Sequence, residues 1–565
     1  MGPRGEVQVP LDLRTAEAAI RRVKDSGATA LAICLLHAYA NSEHERRLVA
    51  LARKHLGRGV FICVSSDVLP EIREYERTST TAINADVGPV VRAYVGALAR
   101  RLAALGIGSP LLVMQSSGGI LGAEAVLDKP AYIIESGPAA GVIGGAMLAR
   151  RTGYTNVITI DMGGTTAKAS MIEKGRVTRT SEYEVGAGIN LSSQMVKDRG
   201  HALKLPVIDV SEIGAGGGSL ARVDRSGLLS VGPRSAGAVP GPVCYGRGGE
   251  VPTLTDALVV LGYLNSEYLV GGAVRIDAGR SRKAIAEHIA GPLDMSAIEA
   301  ARGIFIVSAA SMTRAVKAVS TFRGRDRRDF HLCAFGGNGP IMAAEIADAL
   351  GITGVVVPPM PGLFSALGLL MAGRKQEFSQ THFRRTTGVA PGEIETVMAA
   401  LETKARLALA ADGCRADRIE LRRSADLRYA GQAYELTVEL EGGPAPSPQQ
   451  LADAFGREHE RTYGHRAQDE PVDLVSLRVS AVERLDELPL KVVLWGRDQP
   501  PRERPAYFGA AHATVTTPIV DRGALSWHPR AGPMIIEEYD ATTVVPPGWS
   551  ARLDDQSNIL LSRKA

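Results

Sequence analysis

The segment 156–171, NVITIDMGGTTAKASM, places a carboxylate beside a pair of glycines. Asp161 follows a short apolar run, and Gly163 and Gly164 permit a tight turn before a second apolar run begins. Glycines let backbone N–H groups surround an anion, and a carboxylate beside them can hold Mg²⁺ or orient water at a phosphate. The segment therefore predicts a strand, a loop and a return strand, with Asp161 as candidate catalytic residue and metal ligand and both glycines as candidate phosphate-binding residues.

Polar side chains of the same loop add to this prediction. Thr165 and Thr166 supply hydroxyl donors for a bound phosphate, and Lys168 either lies against a phosphate or points to solvent. The motif D-x-G-G-T is short, so an ordinary Gly-Gly hairpin turn is the alternative when the segment is taken alone.

A second glycine loop, GAGGGS at 214–219, contains Gly216, Gly217 and Gly218. Successive glycines tolerate close contact with a planar or charged group. The alternative is a flexible linker, but linkers are usually flanked by polar residues, whereas strand-like apolar segments bracket this loop. We expect it to contribute to a binding site.

A third glycine loop, FGGNGP at 335–340, lies between an apolar run and a predicted helix. Gly336, Gly337 and Gly339 therefore stand between a strand and a helix N-terminus, an arrangement that binds anions or nucleotides. The spacing matches neither the dinucleotide fingerprint nor the Walker loop. Together, the three loops predict a nucleotide or anion site.

Asp256, in the sequence TLTDA, is a second candidate catalytic carboxylate. An acidic residue after a short polar turn is also typical of a helix N-terminus, where it caps backbone N–H groups. Cys244 lies nearby in a loop rich in glycine and proline, and it is either a reactive thiol or a buried one. Both alternatives stay open at this point.

Alternating strand and helix patterns must position these loops, so we expect an α/β fold. The stretch 295–322 has apolar residues on one broad face, which predicts a helix packed in the core. Ser42 with Glu45, and Ser447 with Gln450, have the spacing of capping boxes that begin helices. Beyond Arg374 the composition becomes more charged, which indicates a further region.

Composition excludes several classes of protein. The 565 residues exceed what one core usually organises, and the proportions of 45% hydrophobic and 22% charged residues are those of soluble globular chains. A net charge of +4 does not indicate a basic surface for nucleic-acid binding. The five scattered cysteines suggest neither a zinc site nor a disulfide framework, and we expect a cytoplasmic protein with no membrane partner.

Several motifs together resemble the hydantoinase A and 5-oxoprolinase family, and they occur in that family's order. They are ESGPAAGVIGGA (135–146), DMGGTTAK (161–168), EIGAGGGSLARVD (212–224), GPVCYGRGG (241–249), PTLTDA (252–257), AFGGNGP (334–340) and VVPPMPGLFSALGLL (356–370). The segment VLPEIREYERTSTTAINA (68–85) is similar to the family's junction between N-terminal and central domains.

The resemblance implies actin- or sugar-kinase-like ATPase lobes of ribonuclease-H type, followed by a β-rich α+β domain. Its domains would be the remainder of the N-terminal domain at 1–105, a central ATP-binding domain at 106–375 and a C-terminal α+β domain at 376–565. Asp161–Thr165 would match a phosphate loop for ATP and Mg²⁺, and Gly336–Gly339 the adenosine side. Members open cyclic amides such as hydantoins or 5-oxoproline using ATP, or carboxylate ketones such as acetone and acetophenone.

The sequence also departs from the family pattern. Family members open with another D-x-G-G-T loop, which lies upstream of the first residue here, so we expect a separate chain or upstream sequence to supply it. Lys168 and Val239 stand where many members have Asp, which indicates a subgroup. We expect an ATP-dependent cyclic-amide hydrolase subunit that works with a hydantoinase B-like subunit. The alternatives are a subunit of an acetone- or acetophenone-type carboxylase and a non-catalytic nucleotide-binding assembly subunit.

Overall fold

The computed structural model describes residues 1–180, 183–185, 200–390, 392–440, 443, 446–485 and 502–563. The α-helices of these residues are α1 (Leu13–Asp25), α2 (Glu43–Leu56), α3 (Ser65–Val68), α4 (Glu74–Ala104), α5 (Ala123–Asp128), α6 (Ser136–Thr152), α7 (Leu254–Val260), α8 (Ala278–Ile285), α9 (Gly291–Leu293), α10 (Ala297–Val319), α11 (Gly339–Leu350), α12 (Phe364–Leu370), α13 (Glu393–Ala411) and α14 (Pro448–Tyr463).

The strands fall into several sheets. In chain order they are β1 (Ala30–Ile33), β2 (Phe61–Val64), β3 (Leu112–Met114), β4 (Ile120–Gly122), β5 (Val157–Met162), β6 (Ala167–Glu173), β7 (Arg176–Val177), β8 (Arg179–Thr180), β9 (Tyr183–Val185), β10 (His201–Leu203), β11 (Val207–Ile208), β12 (Val210–Ile213), β13 (Ser219–Val223), β14 (Leu229–Ser235), β15 (Tyr268–Leu269), β16 (Val274–Arg275), β17 (His331–Phe335), β18 (Gly354–Val357), β19 (Lys375–Arg385), β20 (Ile419–Tyr429), β21 (Leu436–Leu440), β22 (Val472–Glu483), β23 (Arg502–Tyr507), β24 (Thr514–Val520), β25 (Arg530–Ala531), β26 (Met534–Glu537), β27 (Thr542–Val545), β28 (Trp549–Leu553) and β29 (Ile559–Arg563).

The central sheet carries the glycine loops and has the order β12-β6-β5-β17-β18-β29-β28-β25. Strands β12, β6 and β5 are antiparallel neighbours, while β17 is parallel to both β5 and β18. Helix α11 makes the crossover between β17 and β18 that a parallel pair needs. Three antiparallel strands followed by two parallel ones form a ribonuclease-H-like lobe, so the expectation of an α/β ATPase-like fold is confirmed.

Apolar side chains alternate between the two faces of the central sheet. Ile158 and Ile160 of β5 face the larger core with α7, α10 and α11, whereas Val157 belongs to the core beneath α6. Helix α10 is apolar and long enough to pass for a membrane span, but its apolar side chains are largely buried in this core. The prediction of a core helix at 295–322 is confirmed.

The described C-terminal third of the chain contributes to three sheets, one of which is the separate four-stranded sheet β23-β24-β26-β27. Strands β19, β22, β20 and β21 form an antiparallel sheet that shares its core with α13 and α14. Strands β28 and β29 instead extend the central sheet, where β29 pairs antiparallel with β18. The region predicted as one domain at 376–565 thus contributes to two different cores.

The first hundred residues end in the long helix α4. Strands β1 and β2 pair in parallel and pack against α4, which makes an α/β unit of the kind expected. Glu45 lies inside this unit, where its carboxylate accepts hydrogen bonds from the backbone N–H of Leu35 and the hydroxyl of Ser65. The capping box predicted for Ser42 and Glu45 is therefore wrong, because Ser42 makes no side-chain cap.

Candidate functional site

The first glycine loop is an open turn at the end of β5. Asp161 pairs with Lys168 across the hairpin, and the Gly163 N–H donates to the Thr166 carbonyl at 3.2 Å. A side chain built on Gly163 or Gly164 would meet no atom within 4 Å. Packing within the described residues therefore does not demand glycine at these two positions, and the space in front of the turn is open to a ligand.

The second glycine loop lies directly against the first. The N–H groups of Gly217 and Gly218 donate to the carbonyls of Gly163 and Gly164 at 3.1 and 2.7 Å. A Cβ on Gly216 would lie 2.5 Å from the Gly164 carbonyl carbon, so only glycine fits there. Close approach of two backbones explains this glycine without a ligand.

The third glycine loop completes the group. Asn338 donates from its backbone to the Met162 carbonyl at 3.0 Å and from its side chain to the Gly163 carbonyl at 3.1 Å. Gly336 has a φ of 78°, and a Cβ there would lie 2.5 Å from the Asp161 Oδ1 atom. Gly337 lies next in this loop and Gly339 begins α11. The structure therefore brings the three predicted loops together at one end of the central sheet.

Asp161 faces the core side covered by α6. Its Oδ2 atom accepts one long hydrogen bond, from the Ser365 hydroxyl at 3.4 Å. Burial raises the pKa of Asp161, and the charge of Lys168 and the Ser365 hydroxyl oppose that rise. The carboxylate is thus only weakly compensated by the protein and retains lone pairs for another partner.

A row of charged side chains continues from Asp161 across the sheet. Glu212 of β12 is paired with Lys168 of β6, and the Lys168 Nζ atom lies 3.0 Å from Glu212 Oε1 and 2.8 Å from Thr166 Oγ1. Sequence reasoning quoted Glu212 only as part of a motif. The signal that finds it is the register, because residues paired across antiparallel strands project to the same face.

Glu135, immediately before α6, adds a third carboxylate to this side of the sheet. Burial, and then the like charge of Glu212, raise the pKa of Glu135, while Tyr183 and Lys168 act in the opposite direction. The Tyr183 hydroxyl is hydrogen-bonded to the Glu135 carboxylate. The sequence analysis missed this residue, although it opens the ESGP motif.

Asp256 occupies a structural position, and its geometry matches helix capping rather than a catalytic role. The side chain is completely buried. Asp256 is the third residue of α7 and forms a capping box with Thr253, the residue that caps the helix N-terminus. Its oxygens accept hydrogen bonds from the backbone N–H groups of Val243, Cys244 and Thr253 and from the hydroxyls of Thr253 and Ser281. Five donors leave no lone pair directed at a ligand.

Cys244 beside Asp256 is buried as well. Burial raises the pKa of its thiol, and the neighbouring Asp256 charge adds to this. A thiol that stays protonated is a poor nucleophile, so the geometry favours the buried alternative over the reactive one.

A cavity of about 820 Å³ adjoins the third glycine loop. Its lining includes Gly337 and Asn338, with Thr255 on one side and Tyr539 of the β26–β27 turn on another. A larger cleft of about 1870 Å³ lies among α4, β20, β22 and α14, and its described lining contains no residue of the three glycine loops. Proximity to the loops, rather than size, therefore selects the smaller cavity as part of the candidate site.

Several known proteins are similar to this chain in sequence and fold. A family model described as hydantoinase/oxoprolinase matches residues 77–378, and one described as the hydantoinase/oxoprolinase N-terminal region matches residues 1–56. Caprolactamase subunit alpha of Pseudomonas jessenii is 34% identical over 98% of this chain and 79% of its own length. The acetophenone carboxylase gamma subunit of Aromatoleum aromaticum is 31% identical over 99% of this chain and 77% of its own.

A solved structure agrees with these matches. The crystal structure of the ATP-dependent caprolactamase from Pseudomonas jessenii superposes with a TM-score of 0.86 and 33% identity, covering 100% of this chain and 81% of that chain. The resemblance stated from the sequence motifs is therefore confirmed: the chain belongs to the hydantoinase/oxoprolinase family.

Proposed function

We propose that this chain is the nucleotide-binding subunit of an ATP-dependent cyclic-amide hydrolase and that it activates the amide by phosphorylating its oxygen. The observation that carries the proposal is the meeting of three glycine loops beside Asp161, with open space in front of the first loop. Phosphorylation would make the amide carbon a good electrophile and its oxygen a good leaving group.

The residues present fit Mg²⁺ bound together with a nucleotide. No cluster of three metal-ligating side chains occurs in the part of the chain that the structure describes. Mg²⁺ at a nucleotide is usually held by one or two carboxylates, with waters and phosphate oxygens filling the other positions. Asp161, with its single long hydrogen bond, fits the role of that carboxylate, and Thr165 and Thr166 offer hydroxyl groups to a phosphate.

The cavity beside the third loop fits the adenosine part of the nucleotide. Its volume of about 820 Å³ lies in the range of small-molecule sites. Gly337 and Asn338 would contact the adenosine, and the cavity opens next to the turn where the phosphates would lie. Gly217 and Gly218 would support the phosphate loop from behind, through their hydrogen bonds to it.

A cyclic amide is the substrate class that we favour because the caprolactamase relatives match in both sequence and structure. The second candidate is a carboxylase of ketones, which the 31% identity to the acetophenone carboxylase subunit supports. The caprolactamase and acetophenone carboxylase relatives are each named as a subunit, which supports a hydantoinase B-like partner chain for this protein. A cytoplasmic location completes the proposal, since the five cysteines are unpaired.

Co-expression of the full-length protein with a hydantoinase B-like subunit tests the proposal. We expect Mg²⁺-dependent ADP formation that requires hydantoin, 5-oxoproline or caprolactam, and loss of this activity when the subunits are separated. ADP formation that requires acetone or acetophenone with bicarbonate would establish the carboxylase alternative. Nucleotide binding without turnover of any of these compounds would support the alternative of a non-catalytic assembly subunit.

A further inference from the structure

The proposed reaction needs a proton acceptor, and the inference made here rests on that proposed function. When the oxygen of a cyclic amide takes a phosphoryl group, the amide nitrogen must lose its proton so that a C=N bond can form. A positioned carboxylate is a common acceptor for such a proton. It must lie close to the phosphate loop, because the activated amide is lost if water reaches it.

Three carboxylates lie on the α6 side of the sheet near the phosphate loop, and two of them have other partners. Asp161 is next to the glycine turn, where the proposed Mg²⁺ would bind. Glu212 is paired with Lys168 at 3.0 Å, so its charge is compensated. Glu135 makes no ion pair with another described residue, and its carboxylate is held by the hydroxyl of Tyr183.

The fold places Glu135 on the same side of the sheet as the phosphate loop. Helix α6, which begins immediately after Glu135, packs on β5 and β6, and a Cβ on Gly141 would contact Phe335 and the Ser365 hydroxyl. Phe335 pairs with Asp161 in the sheet, so α6 covers the face from which the Asp161 side chain projects. Glu135 is half-buried at the edge of this covered face.

We propose that Glu135 is the base that accepts the amide proton while the substrate oxygen is phosphorylated. In that step the carbonyl oxygen bonds to the γ-phosphorus, and the bond from that phosphorus to ADP breaks. The nitrogen shares the former N–H electron pair with carbon as C=N, and the released proton goes to the Glu135 carboxylate. Glu135 must then release this proton before the next turnover.

The surroundings of Glu135 suit this role. Burial and the Glu212 charge raise its pKa, which makes it a stronger base than an exposed carboxylate, while Lys168 acts in the opposite direction. Burial also raises the pKa of Tyr183, so its hydroxyl remains a hydrogen-bond donor that fixes the carboxylate.

The test uses Glu135→Gln in the full-length protein with its partner subunit. We expect lactam-dependent ADP formation to fall by about 10²–10⁴-fold, the usual contribution of a general base. MgATP affinity measured by calorimetry, and the Tm, should stay at the wild-type values. Glu135→Asp should restore part of the rate. Glu402→Gln is the matched control, because Glu402 is an ion-paired glutamate of α13, remote from the site, whose loss should leave the rate unchanged.

Substrate acidity separates a base from a structural residue. The N–H of hydantoin ionises far more easily than that of caprolactam, so Glu135→Gln should lose less activity with hydantoin. The wild-type kcat/KM for caprolactam should also fall at low pH, because Glu135 becomes protonated. The Glu135→Gln variant should not show this decrease. Equal losses on both substrates with weakened MgATP binding, or no loss at all, would overturn the proposal. If the wild-type complex hydrolyses ATP with no cyclic amide, the proposed function itself fails.

Discussion

Asp161 and Asp256 both stood out in the sequence as candidate carboxylates, yet they occupy opposite kinds of surroundings. Asp161 lies beside an open glycine turn and accepts one hydrogen bond at 3.4 Å. Asp256 is completely buried and accepts hydrogen bonds from five donors at a helix N-terminus. A carboxylate is available for chemistry when the protein leaves its lone pairs unfilled, and it is structural when the protein fills them all.

The largest effect should come from Asp161→Asn, which keeps the shape and removes the charge. We expect ATP turnover in the reconstituted complex to fall by about 10³-fold or more, because the amide no longer attracts Mg²⁺. A steady-state assay with saturating MgATP measures this. An unchanged rate with an unchanged Tm would make the loop an ordinary hairpin turn.

In the absence of Mg²⁺, Asp161→Asn should not destabilise the protein. The folded-state pKa of Asp161 is raised by burial, so its contribution to stability is present below the unfolded pKa and is lost as pH rises through the folded pKa. At pH 7.5 the ionised carboxylate therefore opposes folding. Calorimetry should find a Tm equal to or above that of the wild type, and the gain should disappear in acid.

Asp256→Asn should show the opposite pattern. The new amide nitrogen is a donor placed among donors, which costs about 2–4 kcal/mol in the free energy of unfolding. Urea denaturation measures the loss, while turnover per folded molecule should stay close to that of the wild type. Asp277→Asn is the control, since Asp277 caps α8 at an exposed site and asparagine caps a helix almost as well. Wild-type stability in Asp256→Asn would contradict the structural role.

Gly164→Ala tests whether the open space at the first loop holds a phosphate. A methyl group there meets no atom of the described protein, so stability should be nearly unchanged. If a phosphate occupies that space, the MgATP Kd should rise about tenfold, which is about 1.4 kcal/mol. Gly216→Ala, where the methyl group would clash with the Gly164 backbone, should instead lower the Tm. Equal Kd values for wild type and Gly164→Ala would place the phosphate elsewhere.

The smallest effect should come from Lys168→Ala. Its ion pair with Glu212 is about one-fifth exposed on each side, and such a pair near the surface contributes at most about 1 kcal/mol. We expect turnover to fall only severalfold, since the glycine loop and Asp161 remain in place. A loss as large as that of Asp161→Asn would assign the lysine directly to the transferred phosphoryl group.

Local patterns predicted the loops well because glycine clusters between apolar runs permit few other structures. The three turns occur where they were expected, and the capping box of Ser447 and Gln450 is confirmed. The same pattern failed at Ser42 and Glu45 because Glu45 is drawn into a buried contact with Ser65, a residue distant in sequence. Short-range spacing gives no information about such partners.

The charged residues around the candidate site were harder to predict for a related reason. Glu212 and Glu135 approach the loop only through strand register and the docking of α6, neither of which the sequence displays directly. Asp256 was ambiguous because one pattern, an acid after a short polar turn, serves both capping and catalysis. Only the number of donors around it decides between them.

The pairing of β29 with β18 has a consequence for biosynthesis. Residues 354–357 of β18 pair with residues 559–562 of β29, which are synthesised more than two hundred positions later. During translation β18 therefore presents an unpaired apolar edge, a known starting point for aggregation. A ribosome that stalls before residue 559 would release a lobe with this edge exposed, so a chain lacking β29 should depend on chaperones and be degraded, even though every glycine loop has already been made.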